Sequence, residues 1–238
     1  MRKIQFATGQ FYHVFNRGVE KRDIFLDDKD YSRFLLGLTE FNTVNPVELF
    51  MIKKYGKKTE SSPLVRPGLL LGRPGLTIQP FVKIHGFCLM PNHYHLLLEQ
   101  IQDGGISSFM QKLGTGFSMY RNMKYGRVGP LFQGRFKAIL IDEEVYLTHL
   151  LRYIHLNPVE LIEPKWKENG IKNWKKANKF LDSYKWSSFH EYNGKTMYPD
   201  IVKNDFLLDL VGGFEGHRQF VKEWLVKDAE EISDLTFE

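Results

Sequence analysis

Apolar side chains recur at spacings of three and four between residues 28 and 41, which is the period of a helix with one buried stripe. Asp27 or Asp28 stands at the start of this segment, where a carboxylate can cap the first turn. The residues before it, Phe11–Asn16, have the composition of a short strand. The sequence therefore predicts a strand and then a helix, whose core-facing stripe is Tyr31, Phe34, Leu35, Leu38 and Phe41.

Three further segments are rich in the apolar residues that strands favour. Phe81–Met90 and His93–Glu99 are separated only by Pro91 and Asn92, which predicts a hairpin with a tight turn. Arg135–Ile141 has the same character and predicts another strand.

Two more helices follow from the pattern. Ile106–Tyr125 carries apolar residues at helical spacing, although Gly114 and Gly116 weaken a helix and permit a kink. Asp142 is placed to cap a last helix, which is predicted to run to about residue 157 because Pro158 cannot continue it.

The resulting order is strand, helix, strand, strand, helix, strand and a final helix. It predicts an α+β protein with a ferredoxin-like βαββαβ antiparallel sheet, an appended C-terminal helix and a helical tail. Turn-forming prolines and glycines predict an irregular insertion at about 45–80. We expect one domain over residues 8–162 and a C-terminal extension over 163–238 that serves in DNA binding or in packing.

Composition narrows the class of protein. With 238 residues and 42% hydrophobic content, the chain can bury a substantial core. Its one cysteine, Cys88, has no partner for a disulfide, which favours a reducing compartment. We find no stretch of secretory-leader or membrane-spanning character, so the sequence predicts a cytoplasmic protein.

Charge is distributed unevenly along the chain. The net charge is only +5, but no acidic residue occurs from Gly104 to Ile141. A segment of that length whose charged residues are all basic attracts polyanions such as nucleic acid. Two lysine clusters, at 53–58 and 165–179, are equally consistent with nucleic-acid binding and with solvated surfaces. The candidate DNA-binding residues of the acid-free segment are Lys112, Arg121, Lys124, Arg127, Arg135 and Lys137.

His93 and His95 are candidate metal ligands. Alternate residues of a strand share a face, so the two imidazoles point together while Tyr94 points the other way. Neutral imidazole binds transition metals and also tolerates Mn²⁺ or Mg²⁺ beside oxygen ligands. A strand end with two half-exposed histidines is the alternative interpretation.

The last predicted helix has a polar side. Tyr146, His149, Tyr153 and Asn157 recur there at spacings of three and four. If this side faces the hairpin, a phenol and an amide oxygen lie against the two imidazoles. Alternatively, Tyr153 is an ordinary residue of an amphipathic helix interface.

Four motifs together resemble a known family. Their order and composition are similar to the single-tyrosine HUH transposases, which are insertion-sequence 200-like, and most similar to the REP-associated tyrosine transposases. The resemblance covers about residues 8–162. The motifs are Tyr12–Gly18, Met90–Leu96, Phe132–Phe136 and Arg152–Val159.

The resemblance implies a metal-dependent single-stranded DNA endonuclease and strand transferase that acts near DNA hairpins or repetitive extragenic palindromes. Carried over to this chain, it implies that Tyr153 is the nucleophile and forms a 5′-phosphotyrosine. It also implies that His93, His95 and Asn157 bind Mg²⁺ or Mn²⁺. The protein would act as a monomer or homodimer.

Two other functions remain open at this point. One is a domesticated nucleic-acid-binding protein that has lost cleavage, although a pure binder has no need for all four residues His93, His95, Tyr153 and Asn157. The other is a metal-dependent phosphodiesterase that uses water as the nucleophile, with Tyr153 only structural.

Overall fold

The computed structural model describes residues 5–44 and 79–224. The predicted insertion at about 45–80 therefore lies almost entirely outside the described residues, as does the lysine cluster at 53–58. Within the described ranges, the helices are too short or too polar to cross a lipid bilayer.

A four-stranded antiparallel sheet forms the centre of the protein. Its strands are β1 (Phe11–Arg17), β2 (Val82–Met90), β3 (His93–Gln100) and β4 (Lys137–Ile141), in the spatial order β2-β3-β1-β4. This order confirms the predicted α+β, ferredoxin-like fold. The predicted start of the last strand at Arg135 was two residues early.

Two long helices cover one face of the sheet, α1 (Asp28–Glu40) and α2 (Gly105–Tyr125). Asp27 caps α1 by accepting a hydrogen bond from the backbone N–H of Asp30. The predicted apolar stripe of α1 is buried, and its Phe34 ring lies 4.9 Å from the ring of Tyr94 on β3. The sequence period therefore identified the core correctly.

The glycines of α2 do not interrupt the helix, which runs without a break from residue 105 to 125. A Cβ atom at Gly116 would lie only 2.4 Å from the Phe41 ring. Gly116 therefore permits close packing of α2 against the end of α1. The kink that the sequence permitted at the glycines does not form.

Helix α3 (Glu144–Leu156) lies over the other face of the sheet. Its N-cap residue is Glu143, whose side chain makes no capping hydrogen bond, so the prediction that Asp142 caps this helix is wrong. The helix passes at residue 157 into a 3-10 segment, Asn157–Leu161, because Pro158 has no N–H to donate.

The described part of the C-terminal extension packs against the rest of the protein. Leu89 of β2 donates a backbone hydrogen bond to Trp186, and Cys88 pairs with Ser187. These contacts cover the outer edge of β2, which would otherwise expose unpaired backbone groups. The extension contains the helices α4 (Trp166–Asn169), α5 (Trp174–Ser183), α6 (Asp205–Leu210) and α7 (Gly213–Lys222), with a 3-10 segment at Ser188–Tyr192.

Candidate active site

The two candidate imidazoles lie on the face of β3 that α3 covers. His93 and His95 are both buried, and both line a cleft of about 240 Å³. Tyr94 points to the opposite face and packs against α1. The alternation of the strand therefore places the two histidines together, as the sequence predicted.

A hydrogen bond orients His93 for a ligand in the cleft. Its Nδ1 lies 2.6 Å from Oδ1 of Asn92, whose own Nδ2 donates to the carbonyl oxygen of Lys21. Because Oδ1 can only accept, His93 must carry its proton on Nδ1. The lone pair is then on Nε2, which is buried and has no hydrogen-bond partner.

His95 is paired in a similar way with a third histidine. Its Nδ1 lies 2.9 Å from Nε2 of His13 on β1, and His13 is fully buried. The Nε2 atom of His95 is also buried without a hydrogen-bond partner. Each imidazole of the pair thus has one bonded nitrogen and one nitrogen that lacks a partner.

Asn157 lies close enough to His93 for its side chain to raise the pKa of that imidazole. Its Nδ2 donates to the carbonyl oxygen of Tyr153, which leaves Oδ1 buried and without a hydrogen-bond partner. In the part of the chain that the structure describes, no three His, Cys, Asp or Glu residues form a metal-binding group. A three-ligand protein site here therefore needs the Asn157 amide beside His93 and His95.

Burial keeps both imidazoles neutral. It lowers the pKa of His93 to about 3, with help from the charges of Arg17 and Lys167, while the side chain of Asn157 acts in the opposite direction. Burial and the neighbouring His93 and His13 hold the pKa of His95 well below its ordinary value. A neutral ring keeps the lone pair that a metal ligand needs.

Tyr153 lies against this group of histidines. Its ring centroid is 5.6 Å from that of His95 and 6.5 Å from that of His13, in edge-on arrangements. Tyr153 is only 2% exposed and is not among the residues that line the cleft. Two residues of the extension cover it: the Trp166 ring packs at 6.4 Å, and the Lys167 ammonium group lies 5.2 Å from the ring centroid.

Three cationic side chains line the cleft beside the imidazoles, namely Arg17, Arg135 and Lys137. Arg135 and Lys137 are exposed. The loop that carries Arg135 is held on the end of β1, where Gln133 donates its backbone N–H to the carbonyl oxygen of Arg17. In the same place, the Asn16 side chain donates to the carbonyl oxygen of Gly134. These bonds hold the loop that carries Arg135 beside the cleft.

The other predicted DNA-binding residues are placed differently. Arg121 is fully buried and bonds Asp30 at 3.0 Å, so the prediction that it contacts DNA is wrong, and we correct it. Lys124 forms ion pairs with Asp27 and Asp30. These cations stabilise the contact between α1 and α2, because each compensates a carboxylate.

The remaining two cations of the predicted set, Lys112 and Arg127, are half-buried. Lys112 donates to the carbonyl oxygen of Thr43 at 2.6 Å. Neither is among the cleft-lining residues.

Three neighbours of the site carried no firm prediction: His13, Arg17 and Lys167. The alternation of β1 places His13 and Arg17 on one face, so the pairing of β1 with β3 could have identified them. Lys167 had no such signal, since it approaches Tyr153 only through the packing of α4 on α3.

The chain is similar to known proteins. A family model described as "Transposase IS200 like" matches residues 79–157. No curated protein matches the chain. One solved structure, described as "Structure of the REP associates tyrosine transposase bound to a REP hairpin", is similar with a TM-score of 0.46 and 16% identity. The alignment covers 86% of this chain and 91% of that chain.

The matched range contains His93, His95, Tyr153 and Asn157, whereas the motif Tyr12–Gly18 precedes it. Residues 79–157 are therefore similar to IS200-like transposases, and the resemblance identified from the sequence motifs is confirmed over that third of the chain.

Proposed function

We propose that the protein is a single-stranded DNA endonuclease and strand transferase in which Tyr153 attacks a phosphodiester. The observation that supports this most strongly is the position of the Tyr153 ring, 5.6 Å from His95 in a site where three buried ligand atoms lack partners. The family match over residues 79–157 supports the same class of chemistry.

The ligand atoms suit a divalent cation such as Mg²⁺ or Mn²⁺. Nε2 of His93, Nε2 of His95 and Oδ1 of Asn157 would hold it, since each is buried and lacks a hydrogen-bond partner. When bound, such a cation polarises a phosphoryl oxygen and stabilises the negative charge that develops during in-line displacement.

Tyr153 performs the displacement itself. Its Oη forms a bond to phosphorus while the bond from phosphorus to the 3′-oxygen breaks. The phenol proton is released, and the departing 3′-oxygen takes up a proton. The products are a 5′-phosphotyrosine and a free 3′-hydroxyl, and a second 3′-hydroxyl can reverse the reaction on another strand. This transfer needs no nucleotide triphosphate, because the new ester replaces the old one.

Lys167 and the cleft cations assist in different ways. The phenol is a weak nucleophile near neutral pH. The Lys167 ammonium group lies 5.2 Å from the Tyr153 ring centroid, and its positive charge would stabilise negative charge that develops nearby during the attack. Arg17, Arg135 and Lys137 attract the DNA backbone to the cleft. Because Trp166 and Lys167 cover Tyr153, DNA binding must also expose this side chain.

The test is a reaction of end-labelled single-stranded oligonucleotides, with and without a hairpin, in Mn²⁺ or Mg²⁺. We expect a protein-DNA adduct that survives denaturation and is abolished in Tyr153→Phe. Tyr146→Phe is the matched control, since Tyr146 lies two turns earlier on the same helix, and it should form the adduct normally. Cleavage without an adduct would indicate a hydrolase that uses water. Binding without cleavage would indicate a protein that only binds DNA.

A further inference from the structure

His13 contacts one of the candidate metal ligands, His95, from behind the candidate metal site. Nε2 of His13 lies 2.9 Å from Nδ1 of His95, and both rings are buried between the sheet and α3. The two rings stack at an angle of 22°, with 5.1 Å between their centroids. Only one proton can lie between the two facing nitrogens, so the tautomers of the two rings depend on each other.

The neighbouring ligand shows what such a contact achieves. Asn92 accepts from Nδ1 of His93, and this leaves the His93 lone pair on Nε2. His95 needs the same arrangement to bind a cation through Nε2, since the proton must then be on Nδ1. His13 is the group at hydrogen-bonding distance from that Nδ1 atom. A histidine accepts at Nε2 only when its own proton is on Nδ1.

We propose that His13 is a positioning residue that holds His95 in the Nδ1-protonated tautomer and thereby directs the Nε2 lone pair of His95 to the cation. This inference rests on the proposed metal-dependent function. Hydrogen-bond acceptors of this kind fix ring orientation and tautomer in metal sites, and their loss typically weakens metal binding about 10- to 100-fold.

The backbone register makes His13 well suited to this role. His13 is opposite Leu97 on β3, and His95 is two residues from Leu97 on the same strand. Every residue of β1 from Phe11 to Arg17 is paired with a residue of β3. The ring of Phe15 packs 4.7 Å from His13 and 6.0 Å from His95, which further limits the movement of both rings. The site is thus held by rigid strands instead of loops.

Two variants separate positioning from simple packing. His13→Phe fills the space but cannot accept a hydrogen bond. His13→Gln can place an amide oxygen near the former Nε2 position and restore the acceptor. We expect Mn²⁺ affinity, measured by calorimetry, to fall about 10- to 100-fold in His13→Phe and to return to within a few-fold of the original in His13→Gln. His217→Phe is the control for loss of a buried histidine and should leave Mn²⁺ affinity unchanged.

A second readout needs no metal. Long-range ¹⁵N–¹H NMR spectra of the metal-free protein report which nitrogen of each histidine is protonated. We expect the proton of His95 on Nδ1, and we expect a mixture of tautomers in His13→Phe. A proton on Nε2 of His95 in the original protein, or equal Mn²⁺ affinity in His13→Phe, would overturn the inference. Equally weak binding in His13→Gln and His13→Phe would also overturn it.

The proposed function can fail separately. If the original protein binds neither Mn²⁺ nor Mg²⁺, the metal-dependent function is wrong. The metal-free spectrum would then still decide whether His13 sets the tautomer of His95.

Discussion

The part of the chain that the structure describes contains two buried histidine groups, one in the candidate metal site and one in a packing contact. In the first group, His93 and His95 each bond through one nitrogen and leave the other without a partner beside a cleft. In the second, His155 bonds through both nitrogens, to His217 and to the Ser188 hydroxyl, each at 2.9 Å. The histidines of both groups are at most 5% exposed, so burial does not distinguish the two groups.

The second group joins the C-terminal extension to α3. Ser188 accepts a hydrogen bond from the backbone N–H of Phe87 on β2, while His217 lies on α7. His155 is thus a polar link between the sheet, α3 and the extension. Nδ1 of His217 also lacks a hydrogen-bond partner, so an unused ring nitrogen alone does not identify a candidate ligand. The first group differs because His93 and His95 lie two residues apart on one strand and line a cleft that cations also line.

The largest expected effect comes from removing a ligand of the first group. His93→Ala and His95→Ala should each reduce metal-dependent adduct formation by more than about 100-fold, because a neutral imidazole ligand is lost. Thermal unfolding in the presence and absence of Mn²⁺ provides the comparison. The original protein should be stabilised by the ion, and these variants should not. Unchanged adduct formation in either variant would remove that histidine from the site.

The next effect concerns the second group and changes stability. His155→Leu removes both hydrogen bonds and leaves Nε2 of His217 buried without its partner, whereas Ser188 keeps its hydrogen bonds to Phe87. We expect it to lower the free energy of unfolding by about 2–4 kcal/mol, measured by urea denaturation. The stabilisation by Mn²⁺ should persist in the folded fraction. If it disappears, then the two groups are coupled and the comparison fails.

Acid should destabilise the protein through its buried histidines. Burial lowers the pKa of His217 to about 3, and it lowers the pKa of His155 well below its ordinary value. The unfolded chain therefore binds more protons below the ordinary histidine value of about 6.5, so stability falls as pH decreases from there towards the lowered values. Each such histidine contributes a slope of up to about 1.4 kcal/mol per pH unit.

Urea denaturation between pH 7 and pH 4 measures this slope. His217→Phe should make it shallower, because one titrating group is removed. An unchanged slope would indicate that His217 is protonated similarly in the folded and unfolded states.

The smallest effect is expected at the cleft cations. Arg135→Gln together with Lys137→Gln should weaken single-stranded DNA binding and reduce the slope of log affinity against log salt by about 1.4, since each phosphate contact contributes roughly 0.7. The control is Lys83→Gln, which removes an exposed lysine of β2 that pairs with Glu99. If the double variant and the control show the same salt dependence of DNA binding, then the DNA backbone does not contact Arg135 and Lys137.

Local patterns predicted the fold because each one has a direct structural cause. The stripe from Tyr31 to Phe41 formed α1, and alternation in His93–Glu99 placed both imidazoles on one face. The cap of α3 was predicted at the wrong residue, since the N-cap residue is Glu143 and Asp142 precedes it.

Long-range contacts were harder to predict. The basic character of Arg121 suggested DNA binding, but its function is set by Asp30, which is distant in the chain and buried against it. Lys167 likewise approaches Tyr153 only in the folded protein. Charge along the sequence therefore indicates an attraction to polyanions. Ion pairing in the folded protein decides which of the basic side chains can contact a polyanion.

The most direct test of the account is to identify the residue that becomes linked to DNA. The adduct formed with a single-stranded oligonucleotide would be digested with nuclease and protease and analysed by mass spectrometry. We predict one modified peptide that carries a nucleotide phosphate on the phenolic oxygen of Tyr153. Linkage to Tyr146 or to another residue, or cleaved DNA with no linked peptide, would contradict the account.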